Sequence, residues 1–171
     1  AVIKSKNSRN YAVPFMLAAL GGADALYLLT ARSGDYLLLM QHFNVGLLIM
    51  ALIALLIGRR VIPFFAMRAI PGLSLPKQTE TGWVQLAACA LGALGILLAQ
   101  PLAVIVGLGL AGVLALVQII SWKPLAVRGN ALLWILYVGY ASLGIGLLMA
   151  AAAQAGLDLP RALPVHTIAM A

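Results

Sequence analysis

Of 171 residues, 64% are hydrophobic and only 9% charged, whereas a soluble domain carries roughly 25% charged residues. That excludes an ordinary soluble fold and points to an integral membrane protein. The net charge of +7 comes from 11 Lys and Arg against 4 Asp and Glu. The basic residues are grouped in short segments between apolar runs, which membrane topology explains and a nucleic-acid stripe does not.

A polar lead with Lys4, Lys6 and Arg9 precedes a first span expected from Tyr11 to Ala31. About 20 apolar residues suit a hydrocarbon core of ~30 Å. Ala18-xxx-Gly22 and Gly21-xxx-Ala25 are spacings that admit a neighbouring helix closely, and Asp24 sits among them. Arg32-Ser33-Gly34-Asp35 reads as a turn, and a second span runs from Tyr36 to Ile57, with Gln41, His42 and Asn44 near its start.

Arg59 and Arg60 then end the apolar run, since each guanidinium would cost several kcal/mol at the bilayer centre. Pro63 is expected to stop the helix, with residues 58–82 as a loop holding Phe64 and Phe65 at the interface and room for a short interfacial helix over 63–70. A third span is expected from Trp83 to Ala99 and a fourth from Leu102 to Trp122. The tight Gln100-Pro101 link makes these two antiparallel neighbours, and Ala103-xxx-Gly107-xxx-Ala111 supplies a packing stripe. The fifth span runs from Asn130 to Ala153 with Ser142-xxx-Gly146 as a small-residue pair; a sixth is begun at residues 162–171, which contain His166. The fold expected is all-α: a single polytopic transmembrane bundle over residues 1–171, with five complete spans and the start of a sixth. A start at Ala1 and an end inside a fresh apolar segment read as an interior piece of a longer chain.

One face collects Lys4, Lys6, Arg9, Arg59, Arg60, Arg68, Lys77, Lys123 and Arg128; the other has Arg32 and Arg161. The positive-inside rule therefore places the N-terminal lead and the Arg59-Arg60 loop in the cytoplasm. The single cysteine, Cys89, lies in an apolar run and supports neither a disulfide framework nor a metal pair.

Asp24, His42 and His166 all fall in the outer leaflet, where ionisable side chains pair, ligate or conduct. Asp24 and His42 come out at nearly equal depth when counted from the expected span ends, ~10 Å and ~9 Å. Two readings stand for His42: an imidazole hydrogen-bonded to a neighbouring helix, or a haem or metal ligand. Asp24 is either a structural partner, as to Arg32, or the group that orients a ligand histidine, or a proton relay. Arg59 and Arg60 serve topology alone, or clamp a haem propionate or another anion.

Gly58-Arg59-Arg60-Val61-Ile62-Pro63-Phe64-Phe65 resembles the G-R-x-x-I-P-F-F signature of the NnrS family, and Pro164-Val165-His166-Thr167-Ile168-Ala169 is similar to the family's His-Ala-Leu-Thr-Ile-Gly-Ala helix, with Ala169 in the glycine's place. Gln41-His42-Phe43-Asn44 fits that family's habit of intramembrane histidines. The resemblance implies a bacterial inner-membrane protein that binds haem and copper and relieves nitrosative stress as part of a nitric-oxide response. His42 and His166 would be its ligands, Arg59 and Arg60 further cofactor contacts and Asp24 a supporting group. Two histidines do not complete a haem-copper centre, so the remaining ligands and spans would come from the rest of the chain. No nucleophile, carboxylate pair or nucleotide loop points to an enzyme. The competing reading is a secondary transporter with Asp24 as a proton or cation site. Its mark, paired helices broken at the midplane, is missing from the sequence.

Overall fold

A computed structural model describes residues 12–76, 79–160 and 162–171. The basic lead expected in the cytoplasm, together with Lys77 and Arg161, lies outside them. The described residues form six α-helices and one short 3₁₀ turn, with no strand among them. The helices are α1 (Ala12–Ser33), α2 (Tyr36–Ala69), α3 (Thr79–Leu97), α4 (Pro101–Ser121), α5 (Ala131–Gln154) and α6 (Ala162–Ala169), with the 3₁₀ turn at Pro124–Val127. Five of them, α1 to α5, are long and apolar enough to cross a membrane. The chain is a multi-pass membrane protein.

The helix ends follow from local chemistry. Asp35 caps α2 by accepting from the Leu38 N–H at 3.1 Å, and Asn130 caps α5 by accepting from Leu133 at 3.3 Å; each satisfies a donor that a helix start leaves open. Pro101, whose missing N–H costs nothing there, sits in the first turn of α4. Between α3 and α4, Ala99 adopts the left-handed region (φ 52°) and Gln100 returns its N–H to the Gly95 carbonyl at 2.7 Å, a closure in which glycine is the usual residue.

Neighbours in sequence pack as antiparallel neighbours in space, α1 on α2, α3 on α4, α4 on α5 and α5 on α6, and α2 also contacts α3, α5 and α6. The stripe read on span four does pack: a Cβ on Gly107 would lie 2.6 Å from the Ala88 carbonyl oxygen and from the Gly92 nitrogen. Across α4 and α5 the small residue that matters is Gly144, whose carbonyl oxygen would meet a Cβ on Gly112 at 2.7 Å; Gly146 instead faces Ile168 of α6. Nothing lies within 4 Å of a Cβ built on Gly21 or Gly22, so the small-residue face of α1 is not used by the described residues.

The main departure from the sequence reading is α2. It does not stop at Ile57 but continues through Arg59, Arg60 and Pro63 to Ala69, 34 residues in all, so most of the expected 58–82 loop is helical. Pro63 withholds only its own N–H and leaves the Arg59 carbonyl unbonded within the helix. At 1.5 Å per residue the helix is ~51 Å long against a hydrocarbon core of ~30 Å. The stretch from Tyr36 to Ile57 is already long enough to cross, and the extension packs on the bundle: Ile62 and Ala66 are buried while Phe64, Phe65 and Met67 are exposed.

Candidate functional site

His42 is buried on the second turn of α2, 8% exposed. It lines a cavity of about 260 Å³ between α1 and α2, whose walls include Leu20, Asp24, Tyr27, Phe43 and Met50. The imidazole Nδ1 is 2.8 Å from Thr30 Oγ1, and that hydroxyl donates to the Leu26 carbonyl at 2.8 Å. Thr30, 7% exposed, is thus the residue of α1 that holds the ring, a role expected of Asp24. The reason is register. Helix α1 runs on through Arg32 to Ser33, so Asp24 stands nine residues, or ~14 Å, from its C-terminal end, and His42 only six, or ~9 Å, from the start of α2. Asp24 is therefore about a turn deeper, exposed, and shares the cavity with His42 without the hydrogen bond.

His166 lies exposed on α6, which packs mainly on α5 and touches α2. Thr167 beside it reaches Met149 at 3.8 Å. His166 is not among the residues lining the His42 cavity. Among the described residues no group of three or more His, Cys, Asp or Glu side chains gathers, so the copper implied by resemblance finds no ligand set in them. A haem would call on one imidazole nitrogen and an apolar or aromatic wall; His42, Tyr27, Phe43 and Met50 line the α1–α2 cavity together.

Arg59 and Arg60 are not part of this cavity. They follow His42 by 17 and 18 residues on one continuous helix, ~25 Å away, beyond the reach of a porphyrin ligated at His42. Arg59 instead lays its guanidinium carbon 5.1 Å from the centre of the Trp83 ring, over the bare Cα of Gly82, where any Cβ would collide with its Nη1. Its Nε has no hydrogen-bond partner among the described residues.

Next to Arg59 is a polar cluster that the sequence reading missed. Gln85 and Gln118 are 0% and 1% exposed, and the Tyr140 hydroxyl lies 3.1 Å from Gln85 Oε1 and 2.6 Å from Gln118 Oε1. Gln85 Nε2 donates to the Ala111 carbonyl at 3.3 Å, which fixes that amide's orientation, so its oxygen accepts the single tyrosine proton. The Gln118 amide must then turn its NH₂ toward the tyrosine oxygen. Trp122 and Tyr137 complete the layer, Tyr137 donating to the Trp122 carbonyl at 2.9 Å. The available signal was an amide within an apolar run, at positions 85 and 118, and a threonine at the end of span one.

Neither a curated protein nor a solved structure matches this chain. The family model described as "NnrS protein" matches residues 1–171, its whole length. The helical bundle, the arginine pair on α2 and the buried His42 beside α1 are therefore features of a protein that belongs to the NnrS family.

Proposed function

We propose that the chain is a haem-binding membrane protein acting in the response to nitric oxide and the relief of nitrosative stress, with His42 as the residue that would hold the haem iron. The observation that carries this is His42 itself, a buried imidazole in the wall of a cavity otherwise lined mostly by apolar and aromatic side chains. Its Nδ1 is engaged by Thr30, and a histidine kept in such a place calls for a use, because polar groups cost free energy inside a membrane. Family membership supplies the direction. Bound haem would supply the iron that meets nitric oxide, and His42, with Tyr27, Phe43 and Met50 around it, would hold it. Copper, with His166 as a donor, would need ligands outside the described residues.

The location that accords with this reading is the bacterial inner membrane, with the arginine end of α2 cytoplasmic and the His42 cavity toward the outer leaflet. The excess of Lys and Arg on the Arg59 side supports that orientation.

The test is the optical spectrum of the purified full-length protein with haem and metal analysis. A Soret band that His42→Ala abolishes or shifts, in a protein that still inserts, is the expected result. A spectrum unchanged in His42→Ala would remove His42 from the site.

A further inference from the structure

We infer that Thr30 is a positioning residue for His42: it fixes the imidazole in the Nδ1–H tautomer and keeps the Nε2 lone pair free for an electron-poor partner in the α1–α2 cavity. The argument is a proton count. The Thr30 hydroxyl has one proton, and it goes to the Leu26 carbonyl, which can only accept, at 2.8 Å. The same oxygen lies 2.8 Å from His42 Nδ1. With its proton already used, the hydroxyl can only accept from Nδ1, so Nδ1 carries the hydrogen. A neutral imidazole has a single N–H, and Nε2 is then the nitrogen with the free pair.

Both residues are less than a tenth exposed, so bulk water does not compete for either hydrogen bond. The donor is also held along the chain. Thr30 bonds one turn back on its own helix, and the Thr30 carbonyl accepts from Ser33 Oγ at 2.7 Å. The Gly34 turn, at φ 75°, brings α2 back so that its second turn meets Thr30. The ring is therefore oriented by the α1–α2 hairpin alone, before any ligand arrives. Such an arrangement serves a Lewis acid, a metal ion or haem iron; a hydrogen-bond donor would be a weaker use of it.

The use of Nε2 rests on reading His42 as a ligand, whereas the tautomer does not. The two are separated by measuring the tautomer first, on full-length protein in nanodiscs without haem or metal. In ¹⁵N-histidine-labelled protein, comparison with a His42→Gln sample assigns the His42 signals. A pyrrole-type Nδ1 and a pyridine-type Nε2 are expected; the reverse pattern overturns the inference whatever the protein binds. Hemin titration followed at the Soret band then compares the parent, Thr30→Val and Thr30→Ser. Loss of the hydroxyl in Thr30→Val should weaken binding by about 10–100-fold, and Thr30→Ser should restore it. Equal affinity in Thr30→Val and the parent overturns the positioning role. A parent with the expected tautomer and no hemin binding overturns the haem reading and leaves the tautomer standing.

Discussion

Arg59 and Trp83 meet through Gly82: the guanidinium of α2 lies over the indole of α3, 5.1 Å from carbon to ring centre, in space that exists only because residue 82 has no Cβ. The contact joins the helix that carries the charged end of the bundle to the first turns of the next helix. A cation over an indole contributes about 0.5–2 kcal/mol, more as it is desolvated. Because the colliding atom is the far end of a flexible side chain, Gly82→Ala should not unfold the protein; it should push the guanidinium off the ring. The expected result is a changed Trp83 fluorescence spectrum with thermal stability lowered by no more than about 1 kcal/mol. Arg59→Met should give the same spectral change, and an unaltered spectrum in both would show that the contact is absent in solution.

Backbone obstacles are different. A Cβ at Gly107 would press on the Ala88 carbonyl and the Gly92 nitrogen, atoms that move only if α3 and α4 separate. Gly107→Ala should cost about 1–3 kcal/mol of stability in detergent. Gly21→Ala meets nothing within 4 Å and should be neutral, or stabilising by about 0.5–1 kcal/mol through helix propensity. Chemical unfolding of both variants checks the contrast. A Gly107→Ala protein as stable as the parent would mean that the two helices do not pack this closely.

The span pattern was legible because it depends on runs of apolar residues about 20 long, a signal that survives without any contact information. The end of α2 was not, since proline and arginine were each read as stop signals. Proline removes one N–H, and arginines beside an aqueous end can extend their charged heads toward water. What decided the matter was the burial of Ile62 and Ala66 against the rest of the bundle, a tertiary fact. His42 was legible as a histidine inside a span. Its partner was misjudged because counting from assumed span ends put Asp24 and His42 at equal depth, whereas α1 runs two residues longer and the residue that meets the ring is Thr30, six positions nearer the end of the helix. The Gln85–Tyr140–Gln118 cluster joins residues 22 to 55 positions apart, and no local pattern announces it.

Orientation is open to a direct check. Ser33, the last residue of α1, and Ser74, between α2 and α3, lie at opposite ends of α2 and are both exposed. Cysteine introduced at Ser33 should react with an impermeant thiol reagent from outside intact cells. Cysteine at Ser74 should react only after the membrane is opened. The native Cys89 is fully buried and should give little background. The opposite pattern would invert the bundle and move the His42 cavity to the cytoplasmic leaflet.

Tyr140 ties three helices with one hydroxyl. Its hydroxyl lies between Gln85 of α3 and Gln118 of α4, within hydrogen-bond distance of both amides, while its own ring on α5 packs 5.2 Å from Trp122 and fills the place a Cβ on Gly58 of α2 would occupy. Tyr140→Phe keeps the ring and strands two amides that no water replaces, since both are at most 1% exposed. Interhelical hydrogen bonds in membranes average only about 0.6 kcal/mol, but leaving buried partners unsatisfied costs about 1–3 kcal/mol. Tyr140→Phe should therefore destabilise by about 1–2 kcal/mol, toward the lower part of that range. Gln118→Leu removes one of the stranded groups, and also the amide atom that lacks a partner among the described residues, so alone it should cost less. Combined, the two substitutions should be less than additive by about 0.5–1 kcal/mol, as expected for residues sharing one hydrogen bond. Unfolding of the four proteins in the same detergent measures this. Strict additivity would show that the hydroxyl and the Gln118 amide act independently, and that Tyr140 contributes to this layer through its ring alone.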